Sequence, residues 1–226
     1  MSNTAVQIAN IALNNLGDKT ISAFTDNSAQ AFAVKDRLTD VINSVLRAHP
    51  WNCMTKRYNC PRLAVTPVFA YDYAYSLPTD SLRVLSLKEE EEFDYKWKIE
   101  IVTSSGQDIK ALITNSSTAN IRYIKKYIGN QSHDNDTNTL ELFDPLLVHA
   151  CGMALAGEVA MDLTGQSQLR DLMLGKYQTL LSEARSINGQ EGTADVIESN
   201  EWIDSRTRYT SGWFKPFSST TASGVS

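Results

Sequence analysis

Apolar residues in this chain recur at helical spacing, switch to short strand-like runs near Arg57, and return to helical spacing near Leu146. Thr4 is placed to cap a first helix, whose positions Ala5, Ile8, Ala9, Ala12 and Leu16 fall on one face, and Gly17 is a natural stop. A second helix is expected from about Ser28. It carries Ala31, Val34, Leu38, Val41, Ile42 and Val45 on one side until Pro50 ends it. These two helices are expected to pair antiparallel.

Between them and the next helical stretch, the chain is rich in Tyr, Val, Ile and Thr, punctuated by Pro, Gly, Asp and Ser. Strands are expected over 69–76, 83–88, 93–103, 109–114 and 121–127, with a turn at Ser105-Gly106-Gln107-Asp108 and a polar loop over 130–138. Two further helices, over 145–163 and 167–187, are separated by Thr164-Gly165.

The predicted class is α+β: a four-helix bundle of two N-terminal and two C-terminal helices, an inserted antiparallel β subdomain, and an extended C-terminal tail. The boundaries fall at 1–56 for the first helix pair, 57–139 for the β insertion, 140–188 for the second pair and 189–226 for the tail. The tail is poor in core-forming residues yet carries Trp202, Arg206, Arg208, Tyr209, Trp213, Phe214 and Phe217, types that anchor interfaces. It is expected to order on assembly, by docking on a neighbour.

Chemistry is hard to find. The net charge is -5 and the basic residues are scattered, which argues against a phosphate-backbone footprint. No basic segment followed by an apolar run opens the sequence, so neither a secretory signal nor a membrane anchor is expected. The apolar stretch 146–163 is interrupted by His149, Glu158 and Asp162, which suits a buried helix better than a membrane span. Cys53, Cys60 and Cys151 match no zinc spacing and read as reduced structural thiols.

His49, His133 and His149 have no neighbouring pattern that would make a metal site or a general base. Gly165-Gln166-Ser167-Gln168-Leu169 lacks the second glycine of a nucleophile elbow and follows a helix instead of a strand. The stretch Asp134 to Asn138 imitates half a calcium loop, but Thr139 stands where that loop needs glycine and Pro145 where it needs glutamate. No metal, cofactor or catalytic residue is therefore expected. The run Lys88-Glu89-Glu90-Glu91-Glu92 reads as an exposed edge or turn. The small residues Gly152, Ala156 and Ala160 read as a surface for close helix packing, within the chain before between chains. The one enzymatic alternative pairs Glu158 with Asp162, one helical turn apart, as the carboxylates of a virion-associated peptidoglycan hydrolase.

Two stretches carry a family resemblance. One is Arg47-Ala48-His49-Pro50-Trp51-Asn52-Cys53, followed by Lys56-Arg57. The other is Tyr73-Ala74-Tyr75-Ser76-Leu77-Pro78-Thr79-Asp80-Ser81-Leu82-Arg83-Val84-Leu85. In order and spacing they resemble the tail tubular protein A family of short-tailed bacteriophages, the head-to-tail adaptor or connector proteins. Leu16-Gly17, Leu163-Thr164-Gly165, Tyr177 with Ala184, and Trp202-Ile203-Asp204-Ser205-Arg206 agree with it, while Cys53 stands where such patterns commonly place Phe.

The physics of these motifs is structural. Trp51 is expected to anchor a helix-to-sheet corner, and Leu77-Pro78 to begin a turn between strands. The resemblance implies a virion protein at the portal vertex, assembled in the host cytoplasm as a ring of about twelve subunits. Its partners would be copies of itself, the portal protein and a tail nozzle protein of the tail tubular protein B type, with DNA only as passing cargo, no membrane and no cofactor. The helices would form the ring wall, the β subdomain would face the tail, and the C-terminal tail would grip the portal.

Overall fold

A computed structural model describes residues 4–88, 96–104, 106–129 and 140–191. The architecture is α+β, in the order α1 (Ala5–Leu16), α2 (Ala29–Ala48), β1 (Thr55–Asn59), β2 (Tyr73–Ser76), β3 (Ser81–Lys88), β4 (Trp97–Ser104), β5 (Gln107–Thr114), β6 (Asn120–Lys125), α3 (Pro145–Thr164) and α4 (Ser167–Gln190).

The helix ends follow local chemistry. Thr4 accepts a hydrogen bond from the Gln7 N–H, and Ser28 accepts from that of Ala31, each satisfying an orphan donor of its first turn. Gly17 and Gly165 close α1 and α3 in the left-handed region, at φ 74° and 67°. His49 ends α2 in extended geometry, as a residue before proline must. Pro145 opens α3 behind the capping carboxylate of Asp144, which accepts from the Leu146 N–H.

The spine of the helical region is α3, which packs on α1, α2 and α4. It is long and apolar enough to cross a membrane by length and composition, but 67% of its most apolar window is buried within this fold. The expected direct pairing of α1 with α2 is slight, because both lean chiefly on α3. Close approach requires the small residues. A Cβ on Gly152 would stand 2.5 Å from Ile11 Cγ2 of α1, and one on Gly157 would stand 2.7 Å from Leu174 Cδ2 of α4. Within the chain, then, the small-residue face of α3 is already occupied at Gly152, and Ala156 and Ala160 are buried with it.

The strands form two antiparallel three-stranded sheets, β1-β6-β3 and β2-β5-β4. The first serves two cores. Ile124 of β6 faces the helices, while Ile121 and Tyr123 face a second cluster with Tyr75 and Leu112 of the other sheet. Regular alternation achieves this in β6. In β3 it takes two register shifts, between Ser81 and Arg83 and between Val84 and Ser86. Each shift changes the phase of the strand, so that Leu82 and Leu85 reach the helical core and Val84 and Leu87 the sheet-to-sheet cluster.

Several expected boundaries move. The strand expected over 69–76 begins only at Tyr73, because Ala70 sits at φ 68°, a conformation no strand accommodates. The strand expected to reach Tyr127 stops at Lys125, since the Asn43 side chain takes both the N–H and the C=O of Tyr127, at 2.9 and 3.0 Å. Gly106 makes the hairpin turn at φ 77°, but Gln107 and Asp108 already belong to β5. β1 was not expected at all, and it starts ahead of the boundary at 57. Helix α4 continues through Gly189 to Gln190, past the expected start of the tail. Phe93, His133, Ser105, the acidic run 89–92, the loop 134–138 and the whole tail with Trp202, Arg206, Arg208, Tyr209, Trp213, Phe214 and Phe217 lie outside the described residues.

Candidate functional site

The two stretches that carry the resemblance meet in space. At the end of α2, the Arg47 guanidinium donates to the Leu82 carbonyl at 3.1 Å, and the Arg83 guanidinium donates back to the Arg47 carbonyl at 3.3 Å. This exchange ties the last turn of α2 to β3 and supplies a partner to the Arg47 carbonyl, one of those a helix end leaves open.

Trp51 lies where α2 gives way to β1. It is 1% exposed, and its indole N–H donates to the Val45 carbonyl at 3.1 Å, another of the open carbonyls of α2. The Thr55 hydroxyl donates to the Trp51 carbonyl at 2.7 Å, where the chain enters β1. The ring of His49 meets that of Trp51 edge-on, with centroids 4.8 Å apart.

Asn188, near the end of α4, closes the corner from the other side. Its Oδ1 accepts from the Asn52 N–H at 2.9 Å, its carbonyl accepts from Asn52 Nδ2 at 2.8 Å, and its Nδ2 stands 3.1 Å from His49 Nε2. Nδ2 can only donate, so His49 is the neutral tautomer carrying its proton on Nδ1. Burial first, and then the positive charges of Arg185 and Arg83, hold the imidazole pKa below its ordinary value, in keeping with that assignment. Nothing in the sequence pointed to Asn188. Its side chain copies the donor and acceptor of a backbone unit, and that signal has no period.

The Leu77-Pro78 turn lies where expected. The Ser81 N–H donates to the Pro78 carbonyl at 3.0 Å, and Asp80 then becomes a hub: its carboxylate accepts from the Tyr123 hydroxyl at 2.9 Å and lies 3.7 Å from Lys56 Nζ, while its carbonyl accepts from the Lys126 N–H at 2.8 Å. Burial, reinforced by the Asp80 carboxylate, pushes the Tyr123 phenol well above its usual range, so it acts as a fixed donor. Trp51 packs in the helical core, whereas Leu77 packs against the sheet-to-sheet cluster, so the structure does not bring these anchors to one point.

The carboxylate pair is placed differently. Glu158 and Asp162 are both exposed on α3, and Asp162 forms an ion pair with Arg37 of α2. Glu158 lines an open cleft of about 370 Å³ with Arg37, Asp40, Ser44, Leu174 and Tyr177. A general acid for glycoside hydrolysis is made by an apolar, desolvating environment, which an exposed helix face does not supply.

The cysteines are unpaired, and burial raises all three thiol pKa values, that of Cys60 to about 11. Such thiols are poor nucleophiles at neutral pH. No family model matches the chain, and no curated protein matches it. Among the described residues, no group of three His, Cys, Asp or Glu could hold a metal ion.

Proposed function

We propose that this chain is a structural subunit of a head-to-tail adaptor ring in a short-tailed bacteriophage. The carrying observation is the junction itself: both stretches that resemble the tail tubular protein A family are engaged in reciprocal hydrogen bonds at one corner, and α4 ends there through Asn188. A fixed, hydrogen-bonded junction without catalytic groups suits a protein that works by shape.

In this reading the four helices work as a bundle that forms the ring wall, and the β region faces a tail nozzle protein. The tail, with Trp202, Arg206, Arg208, Tyr209, Trp213, Phe214 and Phe217, grips the portal protein. The ring encloses part of the conduit through which DNA passes on ejection. It works by geometry, many weak identical contacts becoming stable on closure. The place of action is the virion, at the portal vertex.

The test is co-sedimentation with portal-bearing, tail-less heads. The full chain should pellet with the heads, and a chain lacking 192–226 should keep its helical and β circular dichroism but stay in the supernatant. Failure of the full chain to bind removes the adaptor reading, and equal binding by the truncated chain removes the tail as the docking element. The hydrolase alternative, using Glu158 with Asp162, predicts clearing of a purified cell-wall suspension that Glu158→Gln abolishes.

A further inference from the structure

The last turn of α4 is held by polar contacts more than by packing. The helix buries Met173, Leu181 and Ala184, but no residue after Ala184 is buried, and Ile187 is 42% exposed. Ser186, Asn188 and Gly189 are weak helix formers, and the helix gives way to Glu191 without a left-handed cap. What fixes this turn is Asn188, which reaches His49, Pro50 and Asn52 in the segment between α2 and β1.

The orientation of the Asn188 amide is forced. The Asn52 N–H can only donate, so Oδ1 faces it at 2.9 Å, and the Pro50 carbonyl can only accept, so Nδ2 faces it at 3.3 Å. The second hydrogen of Nδ2 is left for His49 Nε2, at 3.1 Å. A flip of the amide would set oxygen against the Pro50 carbonyl and nitrogen against the Asn52 N–H, breaking both backbone contacts. Only the neutral imidazole fits this amide.

The charges around the ring act in the same direction. Burial, then Arg185 of α4 and Arg83 of β3, hold the His49 pKa below its ordinary value. Arg185 Nε is itself buried without a hydrogen-bond partner. Arg47, two positions back on α2, adds a third positive charge, its guanidinium resting on the Leu82 carbonyl. The carboxylates of the neighbouring elements, Asp144 before α3 and Glu191 after α4, act on Cys53. The C-terminus of α2 favours a cation by its dipole, but its Val45 and Arg47 carbonyls are already taken by the Trp51 indole and the Arg83 guanidinium.

We propose that His49 and Asn188 form an acid-opened latch: protonation of Nε2 sets two donors face to face, and the last turn of α4, residues 186–190, comes away from the segment 49–52 while the helical core stays folded. The step is the uptake of one proton from solvent by Nε2, and no covalent bond to carbon changes. With neutral His49 the latch is closed, and it opens as pH falls below about 6.5. Residues 192–226 follow this turn in the chain, so acid changes how firmly their point of attachment is held. The latch stands on its own geometry and does not depend on the adaptor reading.

The test is amide hydrogen exchange on the full-length protein at about pH 7.5 and about pH 5, corrected for the intrinsic pH dependence of exchange. Protection of the Asn52 N–H and of the amides of 187–190 should fall about tenfold, the scale of one lost hydrogen bond, and the fall should track the His49 ring titration followed by NMR. The amides of 41–46 in α2 and 154–160 in α3 should keep their protection. His49→Gln supplies an acceptor that does not titrate, so its latch should stay closed at both pH values. Unchanged protection in the parent chain overturns the proposal, and so does a loss that persists in full in His49→Gln. A loss shared equally by α2 and α3 also overturns it, because acid would then be weakening the whole fold. Asn188→Asp decides the matter if glutamine fits poorly: a carboxylate accepts from both the Asn52 N–H and the protonated ring, so acid should raise its protection, and a fall equal to that of the parent chain counts against the latch.

Discussion

In the helical region α3 buries apolar side chains on nearly every side, against α1, α2 and α4, whereas in the β region Val68, Phe69 and Ile101 stand in solvent. The same contrast holds for the cores. The helical cluster is continuous from Ala5 to Ala184, while the sheet-to-sheet cluster is a small group around Tyr75, Leu112 and Tyr123. The helices also leave apolar side chains in solvent, Phe32 and Leu172 among them, but none is as open as Val68 at 97% or Phe69 at 83%, which stand side by side. The two regions thus differ in the size of their cores and in how far their exposed apolar side chains stand out, not in whether any are exposed.

The largest expected effect is at the corner between the two regions. Trp51→Ala empties a buried site and leaves the Val45 carbonyl unpaired, so urea unfolding should show a loss of about 3 to 5 kcal/mol. A loss well under this would mean that the two regions are less coupled than the packing at Trp51 implies.

Next comes Gly152→Ala. Its added Cβ would fall 2.5 Å from Ile11 Cγ2 and 3.0 Å from Ile11 Cβ, and the second contact cannot be relieved by a rotamer change, because Cβ does not move with χ1. The overpacking should cost about 1 to 3 kcal/mol by the same assay, and combining it with Ile11→Ala should recover part of the loss. Additive losses would show that α1 does not approach α3 at that point.

A smaller effect is expected from acid. The folded-state pKa of His49 lies below its ordinary value of about 6.5, so the unfolded chain binds more protons below that pH. The stability His49 contributes is therefore complete above about pH 6.5 and is lost as pH falls through the lowered folded-state value. Protonation also makes Nε2 a donor, which cannot accept from Asn188. His49→Gln should show a shallower fall in urea midpoint between pH 7.5 and 5 than the parent chain, and parallel curves would disprove the linkage.

The smallest effect on stability should come from the β loop. Phe69→Ser removes a side chain that touches little within the fold, so unfolding should change by no more than about 0.5 kcal/mol. A larger loss would show that Phe69 packs within its own fold more than its exposure implies.

Much of the helical half was legible because its signals are local. Thr4, Ser28, Gly17 and Gly165 act within one turn of their own positions, and the apolar faces of α1 and α2 repeat at a spacing that the backbone dictates. The end of α2 before Pro50 and the turn at Pro78 have the same local origin, since a proline acts on its immediate neighbours. The β region was less so. Lys56-Arg57-Tyr58-Asn59 has no apolar alternation, and β1 exists because those backbone groups pair with β6, more than sixty residues away. The run 69–72 has strand composition, yet the left-handed Ala70 bends it into a protruding loop.

By itself the sequence determined the α+β class, the starts of the helices and the ends of the first three, since caps, periods and prolines act through the nearest few peptide units. Only the tertiary structure decided the division of the strands into two sheets, the phase shifts that let β3 serve two cores, the crossing of α1 at Gly152 and the closing of the corner by Asn188. Each of these depends on which distant backbone or side chain supplies the missing partner or vacates the needed space, a choice made by the whole packed fold and written in no local pattern.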